Sequence, residues 1–444
     1  QGGNFHNLLF SGSGTKTAMM AMTVAGNLGI TDNFNGGSYL HNLYGNWTND
    51  GTYSPSTASW LLGGGLAQTL GGINPTTFYS LDIDNASGII LNNCIFIQQL
   101  LALTDGLGTT GGNTLTMLST GTINGGSVNS HINGRLAWEY LSTGSRTFTI
   151  GKGGVYRPLI FSYSFIDQPS VVTSEQFQSM LAGNLPPYTT LYADRYWEVS
   201  QAGAGYFVYD ITLDGTGYVP DPAAEPVILK DGSDPLSLLP AIVNGTLYTA
   251  FTQSSLSGFG LGSYCPPPVI TLDPQDAEVC EGEIAHFTVD ATGSGSHLWQ
   301  YQWHESASGP GGPFVSLTDG GIYLGVSAPQ LSIYASSVSL DGYAYRVILT
   351  RDCGTSITTT PVLLTVHETP SATYSATQIP CYSAANGTIQ INVSGGLAPY
   401  SYSIDNGLTY PYTGASPFTV QNLPPGLYQV RVRDFNGCES SVCR

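Results

Sequence analysis

Short stretches of alternating apolar and polar residues recur over positions 1–134. Met20-Ala21-Met22-Thr23-Val24 is one, and turns rich in Asn and Gly separate such stretches from one another. A period of two residues is the signature of a β-strand with one buried face. The strands echo one another. Gly26-Asn27-Leu28-Gly29-Ile30 returns at a short offset as Gly45-Asn46-Trp47-Thr48-Asn49. At a longer offset, Phe5-His6-Asn7-Leu8-Leu9-Phe10 aligns with Phe78-Tyr79-Ser80-Leu81-Asp82-Ile83. The same longer offset carries Met22, Val24, Leu28 and Ile30 onto Ile95, Ile97, Leu101 and Leu103. Repetition on a period of about 20 residues predicts a β-solenoid whose coils stack on one another.

From 135 to 264 the repeat gives way to longer aromatic strands. Leu159-Ile160-Phe161-Ser162-Tyr163, Arg195-Tyr196-Trp197-Glu198-Val199 and Tyr206-Phe207-Val208-Tyr209-Asp210-Ile211 are separated by turns and predict a β-sandwich. One short helix is expected from Ser174 to Leu181. Cys265-Pro266-Pro267-Pro268 then reads as a stiff linker. Two further β modules follow, at 265–368 and 369–444. The fold class is therefore all-β, in four segments: a solenoid over 1–134, a sandwich over 135–264, and the two modules.

Composition narrows the function classes. Only 9% of the 444 residues are charged, with 12 Lys+Arg against 30 Asp+Glu and a net charge of −18. Globular domains usually carry about 25% charged residues. An acidic chain without basic runs is a poor partner for nucleic acid or anionic membranes. The longest apolar runs fall well short of the ~18 residues of a membrane span. The 41% apolar fraction supplies enough surface for packed cores. Six of the seven cysteines lie beyond residue 260 and none forms a CxxC pair, which points to disulfides in an oxidising compartment. Cys94, within the apolar Cys94-Ile95-Phe96-Ile97, reads as an inert thiol. The Gln1 start is compatible with a secretion signal already removed, and the end at Arg444, one residue after a cysteine, suggests an artificial boundary, a proteolytic cut after Arg or a longer parent protein.

Four groups of residues carry resemblances. Phe5-His6-Asn7-Leu8, Val24-Ala25-Gly26-Asn27-Leu28 and Gly45-Asn46-Trp47-Thr48-Asn49-Asp50-Gly51-Thr52 resemble phrases in the β-helical regions of large Bacteroidetes surface proteins. Gly151-Lys152-Gly153-Gly154-Val155-Tyr156-Arg157-Pro158 and Arg195-Tyr196-Trp197 resemble the module that follows those regions. Trp303 and Asp341-Gly342-Tyr343-Ala344-Tyr345 are similar to the strand C tryptophan and the tyrosine corner of immunoglobulin-like domains. Val347 stands where the antibody-type cysteine would sit, so Cys280 and Cys353, just outside the strand ends, are expected to pair with each other. The last segment, with Gly387-Thr388-Ile389, Pro399-Tyr400-Ser401-Tyr402, Leu423-Pro424-Pro425-Gly426 and Val432-Arg433-Asp434-Phe435-Asn436-Gly437-Cys438, resembles the SprB repeat of adhesins from gliding Bacteroidetes. Cys381 and Cys438 bracket it and are expected to close it. Cys265 and Cys443 are left without an assigned partner. These resemblances imply an exported protein of the cell surface, carried by type IX secretion.

Candidate chemistry is sparse. HExxH, G-x-S-x-G and a Walker lysine are missing from the sequence. Gly106-Leu107-Gly108-Thr109-Thr110-Gly111 matches GxGxxG, but a strand follows it where phosphate binding needs a helix. Asp82 and Asp84, at alternate positions on a strand, share a face; they are candidates for calcium or for a carboxylate pair of the kind that cleaves polysaccharides. Trp47, Tyr53, Tyr156 and Trp197 are candidate sugar-stacking aromatics. The sequence favours a non-enzymatic structural or adhesive protein without a cofactor, a rod-like stalk or filament subunit whose partners are other copies of itself, surface glycans or other surface proteins. The alternatives are a β-helix polysaccharide-degrading enzyme with accessory modules and a pure carbohydrate-binding protein.

Overall fold

The computed structural model describes residues 3–203, 205–293, 298–377 and 385–442. The described residues are strands and turns, with a single 3-10 turn at Val338–Leu340 as the one helical element among them. The chain divides into two compact units, Gln1–Cys265 and Pro266–Arg444.

The first unit begins as a parallel β-solenoid. Along one face Phe5 pairs with Val24, Val24 with Leu43, Leu43 with Leu62, Leu62 with Ile83 and Ile83 with Leu103. On a second face Leu28 stacks on Leu8, Trp47 on Leu28, and Leu70 on Trp47. Short strands Lys16–Thr17, Asn33–Asn35 and Thr52–Ser54 form a third. Alternation turns every second side chain inward, where Val24, Leu28, Leu43 and Leu62 are fully buried. Coil length varies: one turn carries Lys16 onto Phe34, and a longer one carries Gly108 onto Ile132.

The short-offset echo of Gly26-Asn27-Leu28 in Gly45-Asn46-Trp47 is therefore one turn of the coil. The longer-offset alignment is not a structural repeat. Phe5 lies in the row of Val24 and Ile83, whereas Phe78 pairs with Ile97 on a different face. All three faces show the same alternation, so an apolar pattern alone cannot distinguish them.

An asparagine ladder fixes the corner before the second face. Asn7 Oδ1 accepts from the Asn27 N–H at 2.7 Å, Asn27 Oδ1 from the Asn46 N–H at 2.9 Å, and Asn46 Oδ1 from the Thr69 N–H at 2.8 Å. Each side chain satisfies a corner amide that the sheet leaves unpaired. The preceding glycine is required by close approach: a Cβ on Gly45 would lie 2.3 Å from the Gly26 carbonyl.

The solenoid runs into the sandwich without a break. Strand Ile132–Tyr140 pairs in parallel with Gly108–Met117 and antiparallel with Ser170–Phe177. The expected boundary between 134 and 135 thus falls inside a strand, and one apolar core runs from the solenoid to Leu261. One sheet continues through Tyr196–Ala202, Gly258–Tyr264 and Glu225–Lys230. The facing sheet contains Gly144–Phe148, Leu159–Ile166, Phe207–Asp214 and Leu247–Gln253. The helix expected from Ser174 is instead the end of strand Ser170–Phe177, whose buried and half-buried positions alternate along its whole length.

In the second unit, Trp303 and Tyr345 are fully buried in an immunoglobulin-like sandwich. Phe287 stacks on Tyr345 at 5.1 Å, and Trp303 pairs with Val347. Phe287 and Val347 fill with apolar volume the place of the antibody-type disulfide. Asp341 Oδ1 accepts from the Val366 N–H at 3.0 Å, closing the corner.

The last module packs two three-stranded sheets around Ile391, Tyr402, Val420 and Val432. Asp434 holds its final turn, accepting from the Leu397 N–H at 2.9 Å and the Cys438 N–H at 2.8 Å.

Neither expected disulfide pair forms. Cys280 is bonded to Cys438, with Cα atoms 5.5 Å apart. Cys280 lies opposite His367 at the end of the parallel pair Ala277–Cys280 and Val362–His367. Strand Ala344–Arg351 meets that pair only at its start, through Ala344–Leu363, and carries the Cys353 turn away from it. At ~3.3 Å per residue along the ladder, Cys353 stands roughly 40 Å from Cys280, several times the span of a disulfide. Cys265 and Cys353 are both disulfide-bonded. Cys381 and Cys443 lie outside the described residues. Cys94 is a free, half-buried thiol.

Candidate functional site

The structure places most of the expected ligand aromatics in the core. Trp47 and Trp197 are 1% and 0% exposed, and Tyr53 is 8% exposed. Trp47 packs edge-on against Trp60 and Tyr53, both at 5.0 Å, and donates to Thr76 Oγ1 at 3.1 Å. Trp197 donates to the Arg157 carbonyl at 3.1 Å. These rings face apolar neighbours and satisfy their polar edges inside, so they cannot meet a sugar. Tyr156 is half-buried, 5.9 Å from the His131 ring, and burial pushes its hydroxyl pKa up.

Asp82 and Asp84 point outward from strand Thr76–Asp84. Asp82 Oδ1 accepts from Thr104 Oγ1 at 2.7 Å. Among the described residues, no group of three or more His, Cys, Asp or Glu comes together as a metal site. The two carboxylates therefore lack the additional oxygen ligands a calcium ion takes from side chains of this kind.

A polar groove lies on the outer face of the sandwich sheet. It consists of three depressions with shared walls. The first, of about 410 Å³, is lined by Thr114, Arg135, Thr173, Glu175, Glu198 and Ser200. Glu198 and Ser200 also line the second, of about 500 Å³, with Gln201, Asp231 and Ser257. Asp231 also lines the third, of about 750 Å³, with Asn184, Ser233 and Asp234.

Alternation builds this groove. In Ser170–Phe177, Thr173, Glu175 and Phe177 face outward while Val172 and Ser174 are buried. In Tyr196–Ala202, Glu198 and Ser200 face outward while Trp197 and Val199 are buried. Glu175 and Glu198 are directly opposed across the strands. Glu175, whose side chain is 13% exposed, receives Arg135 at 3.2 Å and Lys152 at 2.9 Å. The cations neutralise the more buried carboxylate, because an unpaired charge there would be costly. Next along the face, Phe177 and Tyr196 stack at 4.7 Å, and Lys152 lies 5.4 Å over the Phe177 ring. Asp231 Oδ1 accepts from the Gly258 N–H at 3.0 Å, and Asp234 Oδ1 from Asn184 at 2.8 Å. None of the groove side chains was singled out by sequence. The signal was the alternation from 172 to 177, masked by the helical reading of Ser174 to Leu181.

In the second unit the two modules are joined by a polar and covalent junction. Beside the Cys280–Cys438 bond, Asn436 Nδ2 donates to His367 Nδ1 at 2.9 Å. With Nδ1 accepting, the His367 proton lies on Nε2, which donates to Glu278 Oε1 at 2.5 Å. Thr369 Oγ1 donates to the Glu281 carbonyl at 3.2 Å.

Residues 373–409 match the SprB repeat family. No curated protein sequence matches the chain. Among solved structures, tandem Ig repeats of Dlar are 19% identical, with 40% of this chain and 96% of that one covered and a TM-score of 0.19. The N-terminal four Ig domains of Dscam1 isoform 6.9 are 12% identical, with 64% and 78% covered and a TM-score of 0.23. Fibronectin(III)-like modules of Clostridium thermocellum CbhA are 16% identical, with 40% and 90% covered and a TM-score of 0.22. Among the described residues, no helix is long and apolar enough to cross a membrane, a statement that does not bear on β-barrels.

Proposed function

We propose that the chain is a non-enzymatic, adhesive protein of the bacterial cell surface, exported to an oxidising environment. The observation that carries this reading is the SprB repeat at 373–409, covalently tied through Cys438 to the immunoglobulin-like sandwich before it. The disulfides fit an extracellular setting, since such bonds persist outside the reducing cytosol. The low charge fits a surface that works through short-range polar contacts. A filament or stalk role and an origin in Bacteroidetes belong to the same proposal. The solenoid supports it by offering coil edges on which further strands can stack.

The test is attachment. Beads coated with the purified, oxidised chain should adhere to polysaccharide-coated glass or to bacterial cells several-fold more than beads coated with the heat-denatured chain. Equal attachment by both would remove the adhesive reading.

A further inference from the structure

We propose that the groove shared by Arg135, Glu175, Glu198, Ser200 and Asp231 binds a neutral polysaccharide chain. The inference deepens the adhesive reading and rests on it.

Shape is the first argument. Each depression, at about 410, 500 and 750 Å³, is of the size of a small-ligand site (~300–1,000 Å³). Their shared walls make one elongated trough, which suits a chain rather than a single compact molecule.

Chemistry is the second. The lining is rich in hydroxyls and planar polar groups, with Thr114, Thr173, Ser200 and Ser257 beside Arg135 and Glu198. Carboxylates and guanidinium offer paired acceptors and donors that match vicinal sugar hydroxyls, and hydrogen bonds to charged groups are the stronger kind. Glu198 and Ser200, on the wall common to two depressions, are exposed, and their side chains make no hydrogen bond or ion pair among the described residues. Their bonding capacity is open. The Phe177–Tyr196 stack lies on the same sheet face, next to the opposed Glu175 and Glu198.

Charge selects among polymers. Carboxylates outnumber cations along the trough, with Glu175, Glu198, Asp231 and Asp234 against Arg135. In a chain of net charge −18, this repels anionic polysaccharides. Glu175 is already neutralised by Arg135 and Lys152, so Glu198, Asp231 and Asp234 are the carboxylates left for a lysine-rich peptide, and the experiment separates that ligand from a polysaccharide.

Native affinity electrophoresis of the full chain tests the assignment. The probes are galactomannan, xylan and mixed-linkage β-glucan, with alginate as the anionic control and mobilities referred to a probe-free gel. The expected result is retardation by at least one neutral polymer and none by alginate. Glu198→Ala and Ser200→Trp, at exposed positions, should each weaken retardation about tenfold or more while circular dichroism stays unchanged. The proposal is overturned by no retardation in any neutral gel, by equal retardation in alginate, or by both variants running like the parent. It is also overturned if a polylysine peptide binds in a Glu198-dependent way and the polysaccharides do not. Beads that still adhere when no gel is retarded would leave the adhesive reading standing without the groove.

Discussion

Cys280 of the immunoglobulin-like module is bonded to Cys438 of the SprB-type module, 158 residues later in the chain. Each module folds around its own apolar core, yet the bond and the His367–Asn436 contact lock their junction, with His367 held from within its own module by Glu278.

Proteolysis and mass spectrometry of the non-reduced protein should recover a peptide pair joining Cys280 to Cys438. Cys280→Ser together with Cys438→Ser should lower the stability of the second unit by about 3–5 kcal/mol in chemical denaturation. Recovery of a Cys280–Cys353 pair would contradict the junction.

The asparagine ladder gives a second expectation. Asn27→Ala removes the acceptor of the Asn46 N–H and leaves that exposed corner amide to water. A loss of about 0.5–1.5 kcal/mol should follow in urea denaturation. Hydrogen exchange at Asn46 should speed up while strands in the second unit keep their protection. A variant with parental stability and Asn46 protection would show that the ladder does not hold the coil.

Acid sensitivity follows from His41. It is fully buried, its Nδ1 accepts from the Met22 N–H at 3.1 Å, and its Nε2 therefore carries the proton given to the Gly36 carbonyl at 2.8 Å. Both bonds require the neutral ring, and burial lowers its pKa below the ordinary 6.5. His131 is lowered by burial in the same way. The unfolded chain then binds protons that the folded chain does not, so stability rises with pH. The histidine contribution is complete above the unfolded value of 6.5 and is lost as pH falls from there through the lowered folded values. Melting temperature should be flat from about pH 8 to 7 and fall below about 6. His41→Gln should lose less than the parent over that fall. A parallel decline of the two proteins would exclude His41 as a cause.

Much of this fold was legible in the residues. Period-2 alternation gave the all-β class, and the echo of Gly26-Asn27-Leu28 in Gly45-Asn46-Trp47 is the register of the coil. The corner tyrosine and strand C tryptophan placed Tyr345 and Trp303 in one core. What failed was whatever depends on distance. Cysteine positions in sequence do not reveal that Cys280 and Cys353 lie at opposite ends of a sandwich. Aromatic identity does not distinguish a ring that stacks inside a coil, such as Trp47, from one on the surface. The groove escaped because it is assembled from three strands and a turn, with Arg135, Glu175, Glu198 and Asp231 far apart in the chain.

Surface placement with an adhesive role is the central claim, and intact producing cells test it most directly. Fab fragments raised against the purified chain should label unpermeabilised cells and reduce their attachment to a polysaccharide-coated surface several-fold. Labelling that appears only after permeabilisation, or full surface labelling with unchanged attachment, would contradict the account.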